Sequence, residues 1–373
     1  MYKFKKYKKK YIDLKYGGSE TPEQEIKIYS FNVLNPDPLI SKYTFNAIYN
    51  IFSDDQEKTN KNNLLSNIDK KRFDEHKINK IIEIINICLQ NDIVIICLQE
   101  VCLELLNKLK ETYINNIRYT AGDLNFRDGK CSEKNEYRVT IINDNLSFIN
   151  SNEIQIVNKC SIKNGLYTLI KINDSNKHIH TFNFHFYWDS HDEDLHSNAE
   201  KINNIINKTN YPFIICGDFN KSLCDISRNF IDKIPHIIHE EYKEDTLENF
   251  TALDSRNIDK PLKTLKLYPE SDTSLNEIKV AKIDHILVGH SFDNTKKIKN
   301  TEDTVILNEF SDNCDSQKYK IFYDLNRIQD EFNKFILDRT EQNIVTEFNN
   351  DWKEKHPYDD ISDHKLIYKK ITI

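Results

Sequence analysis

Long apolar runs are missing from this sequence. None approaches the roughly 18 residues that a membrane-crossing helix needs, and the mean hydropathy is -0.66. The N-terminus lacks the apolar segment of a secretory signal, so export is not expected. The eight cysteines include no C-x-x-C pair, which argues against a structural zinc site. Cys97 and Cys216 instead fall in apolar runs, where a thiol behaves as a small hydrophobe. A reducing, intracellular and cytoplasmic setting is the expectation. No internal repeat is present.

What the chain does have is charge. Of its 373 residues, 30% are Asp, Glu, Lys or Arg, and the formal net charge is -7. The first 15 residues hold seven lysines against one aspartate, so the remaining body is more acidic than the total suggests. A body of that sign is a poor general adhesive for nucleic acid. It suits an enzyme whose basic contacts are confined to a cleft, or one that binds metal through acidic groups.

Residues 1–20 read as a basic, flexible appendage ending in Gly17-Gly18. The rest, 21–373, reads as one catalytic domain with insertions near 254–279 and 293–357, the second holding a helix around Leu325–Trp352. From Glu25 onward apolar strand-like runs alternate with helical spacing. Strands are expected at Ile26–Leu34, Asp92–Leu98, Tyr137–Asn143, Gly165–Ile172, His178–Tyr187, Tyr211–Cys216, Ile283–Val288 and Lys365–Ile373. Helices are expected at Lys70–Gln90, Leu103–Tyr113 and Leu195–Asn207. This is an α/β pattern with many strands and helices between them.

Polar residues gather where the strands stop. Asn32 follows one apolar run and Glu100 another. Asn183 and His185 lie in a third, Asp218 and Asn220 follow a fourth, Asp284 lies in a fifth, and Asp363-His364 precedes the last. Ligands and catalytic groups collect at strand ends in α/β proteins. A single such residue is usually a cap or a turn former; the recurrence at strand after strand is the signal. The cluster His185, His191, Asp192 and His196 has a spacing poorly suited to zinc.

The order of these motifs resembles the endonuclease/exonuclease/phosphatase superfamily. The stretches are SFNVLN (30–35), ICLQEV (96–101), NFHFYWDS (183–190), CGDFN (216–220), KIDHILV (282–288) and ISDHKLI (361–367). The Asn32-Val33-Leu34, Leu98-Gln99-Glu100-Val101 and Tyr187-Trp188-Asp189 stretches are similar to its deadenylase-like branch, which includes CCR4, nocturnin and Angel. His285 stands where that family commonly has Tyr, and Asn135-Glu136-Tyr137-Arg138 replaces a Gly-rich segment. The Lys/Tyr-rich start resembles those of giant DNA virus proteins, whose setting is the host cytoplasm.

The resemblance implies a four-layer α/β sandwich of two packed mixed β-sheets flanked by helices. It also implies a Mg²⁺-dependent phosphodiesterase, with Mn²⁺ able to substitute. Glu100, Asn32 and Asp363 are the implied metal residues. Asp218 activates water, Asn220 fixes its geometry, and His185 and His364 donate to phosphoryl oxygen with Asp284 behind His364. Tyr137 or Arg138 is a further candidate phosphate contact, or equally a strand-surface residue. The implied substrate is nucleic acid, RNA ahead of DNA, cut as a 3′-exoribonuclease by a monomer. The same fold also serves DNA ends, abasic sites, cyclic or nucleotide phosphates and phosphoinositides, and a catalytically inactive binding module is the alternative from another class.

Overall fold

The computed structural model describes residues 23–33, 75–127, 130–134, 136–158, 161–187, 192–209, 211–222, 226, 229–238, 252–254, 264–267, 277–281, 283–290, 298, 300–307, 309–311, 318–320 and 365–373. Two mixed sheets carry the fold. Sheet A contains β1 (Glu25–Asn32), β2 (Val94–Val101), β3 (Ile117–Tyr119), β6 (Tyr137–Ile142), β15 (Asn300–Thr301), β16 (Val305–Leu307) and β19 (Leu366–Thr372). It runs β15-β19-β1-β2-β6-β3, with β16 also on β19. Sheet B contains β4 (Asp123–Arg127), β5 (Lys130–Lys134), β7 (Leu146–Asn158), β8 (Ser161–Ile172), β9 (His178–His185), β10 (Phe213–Asp218) and β14 (Asp284–Gly289). Its order is β14-β10-β9-β8-β4-β5, with β7 on β8.

Each sheet has one parallel pair, β1 with β2 in sheet A and β9 with β10 in sheet B. A parallel pair needs a long crossover, usually a helix. Helix α1 (Glu75–Leu89) lies between β1 and β2 in the chain, and α3 (Asp192–Ile206) between β9 and β10. Between them in the chain, α2 (Leu103–Thr112) follows β2 and is capped by Cys102, whose Sγ accepts from the Leu105 N–H at 3.4 Å.

Side-chain alternation sorts each strand into a helix-facing and a sheet-facing row. In β1, Tyr29 and Phe31 join Ile81, Ile85, Leu105 and Leu109 of the helices. Ile26 and Ile28 point the other way, into a layer with Ile95, Cys97, Ile170, Ile179, Ile214, Cys216, Ile286 and Val288. On the far side, Leu195, Ala199, Ile202 and Ile206 of α3 recur at helical spacing. They pack on Phe182, Phe184, Phe186, Phe213 and Phe219. The layers are therefore helix, sheet, sheet, helix, as expected, and every isoleucine in the middle layer contributes about 1.5–3 kcal/mol on burial.

The sequence reading anticipates eight of the nineteen strands among the described residues, and β7 is the longest of those it lacks. The reading begins β8 at Gly165 and has nothing at β7, a 13-residue strand paired with β8 along its length. The sequence LSFINSNEIQIVN is polar and Asn-rich, and its pairing slips between Phe148 and Asn150, so the alternation that marks a strand is broken. In the stretch 293–357, β15 and β16 extend sheet A, and β17 (Glu309–Ser311) pairs with β18 (Lys318–Lys320). Around 254–279, β11 (Ala252–Asp254), β12 (Thr264–Leu267) and β13 (Glu277–Ala281) form a small sheet of their own. The helix expected at Leu325–Trp352 lies outside the described residues, as do 1–20.

Four cysteines are described as buried free thiols: Cys88, Cys97, Cys102 and Cys216. Burial pushes the Cys102 thiol up to about 11, so these side chains act as apolar filler.

One buried histidine makes stability depend on pH. His180 has its Nδ1 on the Tyr167 hydroxyl and its Nε2 on Thr209 Oγ1. Burial first, and His178 nearby second, push it down to about 4. Between pH 4 and 6.5 the unfolded chain takes up a proton that the folded chain refuses, so stability falls as pH drops through that window. The expected loss is on the order of 2–3 kcal/mol. Urea unfolding at pH 7 and pH 4.5 measures it, and His180→Asn should remove most of the slope.

Candidate active site

The carboxyl ends of the two parallel pairs meet face to face. Asn32 ends β1 on the sheet-facing row set by Ile26 and Ile28. Its amide Nδ2 donates to Glu100 Oε1 at 2.9 Å and to Asp218 Oδ2 at 3.0 Å. Carboxylates only accept, so the NH₂ end of the amide must face them. Asn32 therefore clamps one carboxylate from each sheet. The end of Asn32 that faces the carboxylates is thus the donor NH₂, not the carbonyl oxygen that a metal would take.

Glu100 reaches the cleft through a backbone irregularity. Ile95 and Cys97 face the other sheet while Ile96 and Leu98 face the helices, so strict alternation would send residue 100 toward the helices. The β2–β6 register shifts between Leu98 and Val101, and Glu100 takes φ 53°. The bulge re-aims the carboxylate into the cleft and returns Val101 to the helix side. Such a conformation costs a non-glycine residue about 1–3 kcal/mol and concentrates at functional sites.

Asp218 is 1% exposed. Its Oδ1 accepts from the Asn220 backbone N–H at 2.7 Å. Asn220 also has positive φ, 52°, and its side-chain amide donates to Phe186 O at 2.9 Å. That bond ties the turn after β10 to the end of β9. Gly217 permits the approach. At φ 139° a Cβ there would stand 1.9 Å from Phe184 O, so only glycine fits.

His185 ends β9 with Nε2 at 3.6 Å from Glu100 Oε1 and 3.7 Å from Asp218 Oδ2. Ligand atoms of Glu100, His185 and Asp218 all lie within 4.8 Å of one another. Two carboxylates and one imidazole around such a gap could hold a divalent ion, and oxygen-rich donors of this kind suit Mg²⁺ or Mn²⁺. Asp284 pairs with Asp218 across β14 and β10 and is 2% exposed, which adds a third carboxylate at the same sheet end. His285 faces the opposite side, where its Nε2 contacts Lys221 O at 3.0 Å and its ring meets Phe219 edge-on. Its departure from the Tyr of the resembled family is thus kept apart from Asp284.

Three expectations need correction. Asn183 is a strut: its Nδ2 donates to Leu98 O and Val139 O, and its Oδ1 accepts from Gln99 Nε2 at 2.8 Å. It bolts sheet B to sheet A below the cleft, and Gln99 extends the network to Ser30. Arg138 is not a phosphate contact. It is fully buried, bidentate to Asp123 at 2.8 and 2.7 Å, because a guanidinium in the middle layer requires a carboxylate. Tyr137 packs in the helix-side core of sheet A. Of the histidine cluster whose spacing is poorly suited to zinc, His196 is half-buried on α3 beside Glu200 and His185 faces the cleft, while His191 lies outside the described residues. Asp363 and His364 lie outside the described residues. The next residue, Lys365, precedes β19, which runs antiparallel to β1 with Ile367 opposite Ser30, so Lys365 sits at the Asn32 end of sheet A.

Two packed mixed sheets with acidic residues at converging strand ends define an α/β sandwich with a candidate metal-binding cleft. A model of the endonuclease/exonuclease/phosphatase family matches residues 47–312, and the chain belongs to that family. No curated protein sequence matches the chain. Among solved structures, zebrafish (D. rerio) TDP2 with single-strand DNA product is similar at 12% identity, covering 93% of this chain and 99% of that one, with a TM-score of 0.45. A Bacteroides vulgatus endonuclease/exonuclease/phosphatase is similar at 13%, with 93% and 98% covered and a TM-score of 0.47. A conserved Enterococcus faecalis protein of unknown function follows at 14%, 92%, 98% and 0.48. At these identities the likeness concerns the fold alone.

Proposed function

We propose that this chain is a Mg²⁺-dependent phosphodiesterase that hydrolyses nucleic acid, with RNA 3′ ends as its substrate. The observation that supports it best is the convergence of Asn32, Glu100, His185 and Asp218 from four strand ends on one gap. Glu100 would hold the ion, with Asn32 and Asp363 as the further metal residues and His185 and Asp218 lining the same gap. When bound, the ion supplies neutralisation of phosphoryl charge.

The chain's own groups do the rest. Asp218, with one oxygen held by Asn220 and the other by Asn32, orients an in-line water and accepts its proton. The bonds to Asn220 and Asn32 pre-set its geometry, so little reorganisation is left for the reaction. His185 and His364 donate to phosphoryl oxygens as charge develops there, and Asp284 holds the His364 tautomer. RNA as substrate is supported by Asn32-Val33-Leu34, Leu98-Gln99-Glu100-Val101 and Tyr187-Trp188-Asp189, which are similar to the deadenylase-like branch.

The purified chain is to be assayed with Mg²⁺, Mn²⁺ or EDTA against 5′-labelled poly(A), mixed-sequence RNA, abasic duplex DNA and a phosphoinositide. A ladder shortening from the 3′ end of RNA, supported by either metal and abolished by EDTA, is expected. Turnover that persists in EDTA sinks the metal reading. Preference for abasic duplex or phosphoinositide moves the substrate while keeping the chemistry. Absence of turnover on all four supports a binding module.

A further inference from the structure

Lys163 stands in an environment that stability alone does not explain. It lies near the start of β8, antiparallel to β9, and is therefore carried to the end of β9 that bears His185. Its Nζ donates to Phe186 O at 3.1 Å and lies 4.8 Å from the centre of the Tyr187 ring. The same carbonyl accepts from Asn220 Nδ2, so the ammonium and the Asn220 amide share one acceptor at the edge of the cleft. Glu136, Asp123 and Glu100 are close enough to bias it electrostatically. Even so, Lys163 forms no ion pair with a carboxylate among the described residues.

An ammonium in close packing without a carboxylate is costly. It has three donors and one carbonyl acceptor here, and part of its surface stays open. We infer that Lys163 is a substrate-phosphate contact of this site, taking a non-bridging oxygen of the phosphate beside the Glu100–Asp218 gap. The inference rests on the phosphodiesterase reading and adds a cation that the motifs do not contain. Burial pushes Lys163 down to about 8, the mark of an ammonium short of solvation, for which an anionic ligand is the natural complement.

The test uses the full-length chain with Lys163→Met, which keeps the stem and removes the charge, and Lys163→Arg, which keeps the charge. One probe is hydrolysis of bis(p-nitrophenyl) phosphate with Mg²⁺. The other is the rise in Tm caused by inorganic phosphate in EDTA, which requires no turnover. Lys163→Met is expected to lower kcat/KM about ten- to a hundredfold, mainly through KM, and to remove most of the phosphate-induced Tm rise. Its Tm without phosphate should be unchanged or higher, because a half-buried ammonium without a carboxylate partner is gone. Lys163→Arg should recover both readouts in part.

Equal phosphate-induced shifts in wild type and Lys163→Met overturn the inference, as does the absence of any shift in the wild type. A loss accompanied by a lowered phosphate-free Tm that arginine does not recover marks a structural lysine and also overturns it. The phosphodiesterase reading fails differently, through absent wild-type turnover while the phosphate shift still depends on Lys163.

Discussion

Glu100→Ala is expected to cut metal-stimulated phosphodiester cleavage by about a hundred- to ten-thousandfold without loss of stability. The carboxylate is one of two that face His185 across the gap, and it is only partly buried, with 16% of its side chain exposed. Removing it leaves one Asn32 N–H on Asp218 and turns the other toward the partly open space the carboxylate vacates, where water can take it. It also relieves repulsion between two nearby carboxylates. Glu100→Gly should go further and raise stability by about 1 kcal/mol, since glycine occupies φ 53° without strain. Activity and urea unfolding on the same preparations decide the matter. An inactive variant that is also unstable would recast Glu100 as structural. This is the exchange of stability for function expected of a strained site.

The largest stability effect is expected at Arg138, outside the gap. Arg138→Met should destabilise the fold by about 3–5 kcal/mol, because it leaves Asp123 charged and buried. Asp123 is 2% exposed and loses both guanidinium bonds, keeping only the Asn164 backbone N–H at 3.0 Å. The double variant Arg138→Met with Asp123→Leu should recover most of that loss, since replacing both charges by apolar groups removes the orphaned carboxylate. Equilibrium urea unfolding of the four proteins closes the cycle. Additive single losses would show that the pair is not coupled.

Arg138 and Asn183 show where reading the sequence stops working. Each sits in or beside a strand-end motif, and a strand-end motif cannot reveal which row of the strand a side chain occupies. Arg138 falls in the middle layer, where a charge must be paired. Asn183 falls in that layer one turn of the pleat below His185, where the nearest groups are the carbonyls of the facing sheet. Lys163 had no local signal at all. It belongs to a polar start of a strand, and its neighbour Phe186 is brought beside it by antiparallel pairing of β8 with β9.

The strands themselves were legible wherever burial on both faces imposed an apolar run, as in β2 and β10. They were hidden where one edge is polar and bulged, as in β7. The sequence by itself determined the alternation of strands and helices, the acidic body and the polar residue that closes each buried strand. Those are local properties, set by which side chains can be buried and which must stop a strand. Only the tertiary structure decided that Asn32 clamps Glu100 and Asp218 together, because those three come from strands far apart in the chain. It also decided that a bulge at φ 53°, rather than plain alternation, aims Glu100 into the cleft.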